Sequence, residues 1–380
     1  MKLKSEKSVI RIYFNNFIAY FIFNLFKLIF GKKTTEPKNN ILFINSGQIG
    51  DLVVSSLLFE NEDKLPGNLN FYFAFKNKFT GLFTDYKGRI NLLPYSYYKY
   101  KYNPIYKYSL LKKFHSLNAV ACYNLSAARG IQNDEMALLS GAKGIFCTDN
   151  SWKYLKKLFG KKMDLQYDEV MFTNVQNEYT KHIRLITKRF HVKLDDLEFK
   201  NRFTFKRNPE LISTLPKGYL TMAPFSSIRE KSWPLYKFKE LTEKLNDRKF
   251  VILGTTAQGK IISKEFGNAG NVLNCCGDFK LNEVASIIYD SSFHIGNDSG
   301  LTHIALKLGV PFASVIGGYN FNKFFPFVYD GMIGRYFFVP LKCFGCEWNC
   351  IYDRAKCLTD VPVEDVYIYV SRMLKELEGK

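Results

Sequence analysis

The sequence predicts an α/β protein of two doubly wound domains, each built on a parallel sheet. Short apolar runs alternate with helical patterns through both halves of the chain, which is the pattern of such sheets. Two strand–helix junctions carry glycine-bearing loops, near residues 46–50 and 296–300. The length of 380 residues is sufficient for two domains.

The chain is strongly basic. It has 54 Lys+Arg against 35 Asp+Glu, a net charge of +19, with 16% aromatic residues. Such a charge implies an anionic partner: nucleic acid, a phosphorylated small molecule or an acidic membrane surface. The basic residues are scattered and no nucleic-acid motif is present, so we expect no nucleic-acid partner.

Residues 1–40 form a predicted N-terminal extension and linker. Val9–Phe30 is apolar but interrupted by polar residues, and its longest clean run, Phe17–Phe23, is too short to span a bilayer. The small residues that mark a signal-peptide cleavage site do not follow Phe30, so a secretory signal is not predicted. The aromatic and lysine content predicts an amphipathic helix on an anionic membrane surface. A helix packed on the protein's own body is the alternative, because the polar positions share no single face.

The first domain is predicted over residues 41–210. Ile41–Asn45 reads as a buried strand, Gly47 and Gly50 lie in the following loop, and Asp51 leads a helix. Ligands of open α/β sheets bind at such strand ends. An Asp at a helix start is also an ordinary cap.

Two further stretches of this domain are candidates for ligand contact. Arg129 and Gln132 lie in a predicted loop after the strand Ala119–Leu125. Tyr95–Tyr108 is an aromatic and basic run, predicted as a surface loop. It suits a sugar phosphate or a lipid headgroup, or else it packs on its own tyrosines.

The second domain is predicted over residues 211–360. Its central stretch is a strand ending near Ile295, a loop from Gly296 to Gly300 and a helix closed by Gly309. The start of such a helix suits a phosphate. Asp298 or Ser299 acting as an N-cap is the alternative.

Five segments carry a family resemblance: SGQIGDLVVSSLL, NLSAARGIQNDEMALLSGAK, APFSSIREKSWP, VILGTTAQGK and HIGNDSGLTHIALKLGVP. From about Ile41 to the C-terminus the chain resembles the ADP-heptose lipopolysaccharide heptosyltransferases, glycosyltransferase family nine. The resemblance implies a GT-B fold, with two Rossmann-like domains facing across a cleft. It places the nucleotide-sugar donor on the C-terminal domain.

The resemblance also implies roles for individual residues. Asp51 matches the family's general base, and Lys231 matches a lysine that contacts the donor phosphates. The donor-binding block corresponds to Asp298, Ser299, Gly300, Leu301, Thr302 and His303. The acceptor-side residues are Gly47, Gly50, Arg129 and Gln132. Phe225-Ser226-Ser227 departs from the family pattern and leaves the donor's identity open.

Cysteines fall into two groups. Cys343, Cys346, Cys350 and Cys357 have the spacing C-x2-C-x3-C-x6-C, which predicts a structural zinc site; free thiols or disulfides are the alternatives. The isolated or vicinal cysteines in apolar strands are predicted to be reduced core residues: Cys122, Cys147, Cys275 and Cys276. The tail, residues 361–380, reads as an amphipathic helix that the resemblance implies packs back on the first domain.

The leading hypothesis is a metal-independent, inverting glycosyltransferase. It moves heptose from ADP-heptose to a lipid-linked glycan such as lipopolysaccharide core, as a peripheral protein on the cytoplasmic face of the membrane. It needs no catalytic cofactor. The alternatives are a related enzyme that uses another nucleotide-sugar, and a non-catalytic basic protein that binds anions or nucleic acid.

Overall fold

The chain forms two compact units. The computed structural model describes residues 6–31, 36–150, 160–199, 207–226, 232–267, 269–347 and 350–379. The N-terminal unit comprises Lys2–Thr80 and Lys87–Glu198, and the C-terminal unit comprises Gly81–Tyr86 and Phe199–Lys380. The sequence predicts the border near residue 210, whereas the contacts change at 198/199.

A six-stranded parallel sheet is the centre of the N-terminal unit. Its strands are β1 (Lys38–Asn45), β2 (Asn70–Lys76), β3 (Ile90–Tyr95), β4 (Ala119–Asn124), β5 (Gly144–Thr148) and β6 (Glu169–Met171). Their order is β3-β2-β1-β4-β5-β6. Successive strands therefore run outward from β1 in one direction and then from β4 in the other.

The central strand of this sheet, β1, is hydrophobic because both faces of the sheet are covered. Ile41 to Ile44 are all buried, as expected for a parallel strand with helices on either side. Ile44 pairs with Ala74 of β2 and with Asn124 of β4. The ends of β1 and β4 are thus adjacent. This is the switch point of the sheet, because the strand order runs outward in opposite directions from β1 and from β4.

The helices of this unit include two that the sequence predicts as a loop. The helices are α1 (Glu6–Ile29), α2 (Ile49–Glu60), α3 (Tyr97–Tyr102), α4 (Pro104–Ser116), α5 (Ile131–Leu138), α6 (Lys161–Asp164) and α7 (Glu178–Arg189). Residues 97–116 are helical because Ser96 and Asn103 accept the N-cap hydrogen bonds of α3 and α4, and Pro104 starts α4.

The N-terminal helix α1 packs on its own unit through one side. Phe23 and Phe30 are buried in a core that also contains Leu110 and Phe114. The opposite side of α1 is exposed. The alternative that α1 packs on the protein's own body therefore holds for one side of the helix. Contact of the other side with a membrane remains a prediction. Among the described residues, no helix is long and apolar enough to cross a membrane.

The C-terminal unit repeats the same sheet order. Its strands are β7 (Leu220–Ala223), β8 (Phe250–Ile252), β9 (Val272–Asn274), β10 (Phe293–Asn297), β11 (Phe312–Val315) and β12 (Gly334–Phe337). They are arranged β12-β11-β10-β7-β8-β9. The helices are α8 (Pro209–Ser213), α9 (Leu235–Lys244), α10 (Thr256–Phe266), α11 (Leu281–Tyr289), α12 (Gly300–Lys307), α13 (Lys356–Thr359) and α14 (Val363–Glu378). The switch point lies between β7 and β10.

The C-terminal helix α14 packs on the C-terminal unit, whereas the sequence analysis expects a return to the first domain. Val366, Val370 and Leu374 are buried in one core with Phe238 and Leu241 of α9. The amphipathic pattern of α14 is satisfied by this nearby apolar surface. Its described core contacts therefore stabilise the unit that contains the 298–303 block.

Candidate functional site

In the C-terminal unit, the candidate site lies where β7 and β10 end side by side. Gly296 of β10 pairs with Ala223 of β7. A Cβ on Gly296 would stand 2.6 Å from Thr302 Oγ1, so glycine permits α12 to approach the strand end. This is the switch-point position where open α/β sheets bind ligands.

The start of α12 brings together the residues of the predicted donor block. Ser299 is the N-cap residue, but its side chain makes no capping hydrogen bond. Its hydroxyl lies 3.4 Å from Thr302 Oγ1, which donates to Asn297 O at 2.7 Å. The cap alternative is therefore not realised by the Ser299 side chain. Gly300 and Leu301 form the first turn, whose N–H groups suit an anion.

Asp298 is held by two neighbours in this unit. Its Oδ1 lies 3.7 Å from His303 Nε2, and Tyr319 donates to its Oδ2 over 3.4 Å. The His303 ring stacks on Phe325 with the centroids 4.0 Å apart. Asp298 and His303 are thus oriented together beside the first turn of α12, and Tyr319 is a member of this site that sequence reasoning missed.

Asn297 fixes the loop that follows β7. Its Oδ1 accepts from the Trp233 backbone N–H, and its Nδ2 donates to Pro224 O, both over 2.8 Å. The Ser226 backbone N–H also donates to Ser232 Oγ at 3.1 Å. These bonds close both ends of the segment that carries Lys231. Lys231 itself, with Arg229, lies outside the described residues.

A buried histidine connects the same three elements. His294 Nδ1 lies 3.0 Å from Thr221 Oγ1 of β7, and its Nε2 lies 3.3 Å from Thr302 Oγ1 of α12. Burial lowers the pKa of His294 to about 3, so the imidazole is neutral at pH 7. His294 and Asn297 are not among the site residues that the sequence predicts. The signal for both is a polar residue inside an otherwise apolar strand.

In the N-terminal unit, the candidate site follows β1. Gln48 is the N-cap residue of α2, and its backbone N–H donates to Asp51 Oδ2 at 2.8 Å. A Cβ on Gly47 would lie 2.2 Å from Cγ of Asp51, so the carboxylate folds back over the loop. Asp51 is therefore a cap, as the alternative expects, and it also stands at the strand end with Gly47 and Gly50.

Two lysines missed by sequence reasoning surround this loop. Burial and, to a smaller extent, the charge of Lys78 lower the pKa of Lys76 to about 8, although the Asp51 carboxylate opposes both. Lys78 Nζ donates to Gln48 Oε1 at 3.2 Å. The carboxylate of Asp51 therefore lies in a cationic neighbourhood. The signal is their position at the end of β2 and just past it, since β2 lies next to β1 in the sheet.

Of the other two acceptor-side residues, Arg129 lies in the loop after β4, as the sequence predicts, whereas Gln132 lies in a helix. The Arg129 guanidinium is buried, donates to Asp134 Oδ1 at 3.0 Å and pairs with Asp164. Arg129 is thus part of a buried ion-pair network whose loss would be strongly destabilising, although its Nε has no hydrogen-bond partner among the described residues. Gln132 lies in the first turn of α5, because the helix begins at Ile131.

These arrangements define a class. Each unit has a parallel sheet of doubly wound order with a polar loop and a helix start at its switch point. This is the architecture of nucleotide-binding α/β proteins with two Rossmann-like units, which includes the GT-B glycosyltransferases.

The family comparison is more specific. Residues 157–329 match the family model of glycosyltransferase family 9 (heptosyltransferase). This match confirms the predicted family resemblance and the predicted enzyme class, a glycosyltransferase. The matched segment contains Lys231 and the 298–303 block, whereas Asp51 and the four clustered cysteines lie outside it. A comparison with curated protein sequences gives no match.

Solved structures confirm the fold class. ADP-heptose lps heptosyltransferase II of E. coli has 16% identity and a TM-score of 0.66, covering 89% of this chain and 99% of that one. E. coli heptosyltransferase WaaC with ADP-2-deoxy-2-fluoro heptose has 14% identity and a TM-score of 0.62, covering 88% and 99%. The iron-containing dodecameric glycosyltransferase TibC from enterotoxigenic E. coli has 12% identity and a TM-score of 0.53, covering 91% and 79%.

We predict that Asn297→Ala weakens both folding and nucleotide binding. The change leaves a buried N–H and a buried carbonyl unpaired, at a cost of roughly 2–4 kcal/mol in the free energy of unfolding. It also releases the 224–233 loop, so ADP affinity measured by calorimetry should fall. Asn274→Ala is the matched control, because Asn274 also ends a strand and donates to a backbone oxygen. Folded Asn297→Ala protein that binds ADP as the parent does would contradict this role.

Proposed function

We propose that the chain transfers heptose from ADP-heptose to a hydroxyl of a lipid-linked glycan, such as lipopolysaccharide core, with inversion at the anomeric carbon. The observation that carries the proposal is the family 9 match over the segment whose loop and helix start meet at the β7/β10 switch point. An anionic membrane on the cytoplasmic side is the proposed place of action, since the acceptor is lipid-linked.

The donor side of the reaction is assigned to the C-terminal unit. The first-turn N–H groups of α12 and the ammonium of Lys231 are proposed to bind the diphosphate. Both carry positive charge toward the oxygen on which negative charge develops as ADP leaves. In this proposal these groups stabilise the leaving diphosphate without a catalytic metal. Asp298 and His303 orient the donor beside them.

The acceptor side is assigned to the N-terminal unit. Asp51 takes the proton from the acceptor hydroxyl. As it does so, the hydroxyl oxygen attacks the anomeric carbon of the donor sugar and the bond from that carbon to the diphosphate breaks. Lys76 and Lys78 place positive charge beside Asp51. Their charge also suits an acidic group on the acceptor.

A related enzyme that uses another nucleotide-sugar is the second candidate. The observation in its favour is the departure at Phe225-Ser226-Ser227. Ser226 closes the loop through its bond with Ser232, so this sequence shapes the segment next to Lys231. In this second candidate, the different sequence at these three positions selects another nucleotide-sugar, and the reaction remains a glycosyl transfer.

We predict different effects on the two sides of the reaction. Asp51→Asn keeps an oxygen that accepts from the Gln48 N–H but removes the base, so turnover should fall roughly 10²–10⁴-fold with donor affinity unchanged. Lys231→Ala removes a charge-assisted contact with phosphate, so donor affinity should fall about 10- to 100-fold. Initial transfer rates and calorimetry measure the two effects.

Asp195→Asn is the control for the first variant, since Asp195 is an exposed carboxylate of the same unit. Transfer by Asp51→Asn at the parent rate would leave Asp51 as a helix cap alone. Loss of donor binding without loss of transfer would contradict the assignment of Lys231.

We also propose a structural zinc at the four clustered cysteines. None of the four is in a disulfide. Burial raises the pKa of the Cys357 thiol, and the neighbouring Cys346, Cys343 and Cys350 raise it further. Their sulfur chemistry fits zinc. Among the described residues, however, no three such ligands are close enough to hold a metal ion, so the loop would have to close around it.

We predict one zinc per chain in protein purified without added metal, measured by elemental analysis. The double variant Cys346→Ser/Cys350→Ser should lose it, because thiolates are the expected ligands. Cys122→Ser is the control, since Cys122 is buried in β4 within the other unit. Protein without metal would refute the site, and iron in place of zinc would refute the choice of metal.

A further inference from the structure

The outer side of α1 is an exposed apolar stripe. Its members recur three or four residues apart and lie on one side of the helix. Their exposed fractions are Phe14 62%, Phe17 63%, Ile18 40%, Phe21 58%, Leu25 48%, Leu28 85% and Ile29 61%. We call this set the outer stripe. Aromatic and aliphatic side chains in one contiguous row on a protein surface indicate a partner.

The inner side holds α1 in place, so the outer stripe is presented by a fixed helix. Phe23 is fully buried, half a turn away from Phe21 and Leu25. The Phe30 ring lies 5.3 Å from the Tyr108 ring and 5.7 Å from His115. Because α1 is apolar on both sides, its polar residues share no single face, which explains why the sequence pattern is not cleanly amphipathic.

Exposed apolar residues continue onto the elements that flank α1. Ile105 and Tyr108 lie one turn apart on α4, with 80% and 42% exposed, and Tyr108 contacts Phe30. Leu165, 86% exposed, precedes Gln166, whose side chain accepts from Lys27 Nζ at 2.8 Å. The apolar face is therefore wider than one helix.

The charge around this face is mostly positive, and Asp164, which precedes Leu165, is paired with Arg129. Residues 97–116, which form α3 and α4, contain five lysines and no acidic residue. The exposed lysines of these flanking elements are Lys27, Lys99, Lys101, Lys112, Lys113, Lys161 and Lys162. Lysine is depleted at protein–protein interfaces, and two copies of this surface would repel each other. Bulky apolar residues bordered by lysines suit an anionic lipid surface.

We propose that the outer stripe of α1, with Ile105, Tyr108 and Leu165, is a membrane-docking face that enters the headgroup region of an anionic bilayer while the lysines contact lipid phosphates. Docking would bring the protein to the lipid-linked acceptor, and only this purpose rests on the proposed function. Docking is thereby assigned to a composite face of the N-terminal unit, beyond the extension alone.

The test is flotation of the full chain with vesicles of mixed anionic and zwitterionic phospholipid, compared with zwitterionic vesicles. The parent should float with the anionic vesicles only. Phe17→Asp/Phe21→Asp should reduce the bound fraction at least about tenfold, because both rings would otherwise enter the lipid. Ile105→Asp should reduce it in the same direction. Tyr236→Asp/Ile368→Asp, at exposed positions of the C-terminal unit, should float as the parent does.

Two measurements separate this proposal from its alternatives. Transfer to a water-soluble acceptor should be equal in the parent and Phe17→Asp/Phe21→Asp; a parent that transfers nothing contradicts the proposed function and leaves flotation intact. Flotation of Phe17→Asp/Phe21→Asp at the parent level overturns the docking face. A parent that is a dimer and a Phe17→Asp/Phe21→Asp variant that is a monomer, with equal flotation, would also overturn the docking face. The face would then be a self-association surface.

Discussion

The side-chain amide of Asn297 is the contact on which the arrangement of the C-terminal unit's site depends. It bonds the backbone at Trp233 and at Pro224, each over 2.8 Å, from the last position of β10. A buried amide that satisfies a donor and an acceptor of one loop fixes that loop relative to the strand. The helix start at Gly300 and the loop that carries Lys231 are thereby anchored at the same strand end.

The N-terminal unit uses the same device at its own switch point. Asn45 is the last residue of β1 and is buried. Its Oδ1 accepts from the Gly47 N–H at 2.9 Å, and its Nδ2 donates to Ser55 Oγ at 2.7 Å and to Asp51 O at 3.1 Å. In both units an asparagine at the end of a central strand orders a loop at that edge of the sheet. Asn45 orders the glycine loop after its own strand, whereas Asn297 orders the loop after the neighbouring strand β7.

The sequence predicts the strands and the position of both loops, because parallel strands are long apolar runs that end in turn residues. It does not predict that Arg129 is committed to Asp134 and Asp164, since Asp164 is distant in the chain. Nor does it predict that residues 97–116 are helical. There the caps at Ser96 and Asn103 outweigh an aromatic composition that favours extended structure. A contact between residues distant in the chain decides the first case, and local N-caps decide the second.

We infer that the C-terminal unit binds an adenine nucleotide-sugar. Thermal unfolding in the presence of a panel of nucleotide-sugars tests it most directly, because a ligand that binds only the folded state raises the unfolding temperature with its concentration. We predict that ADP-heptose and ADP raise this temperature, and that uridine and guanosine diphosphate sugars do not. Stabilisation by a uridine or guanosine diphosphate sugar alone, or by no member of the panel, would contradict the claim.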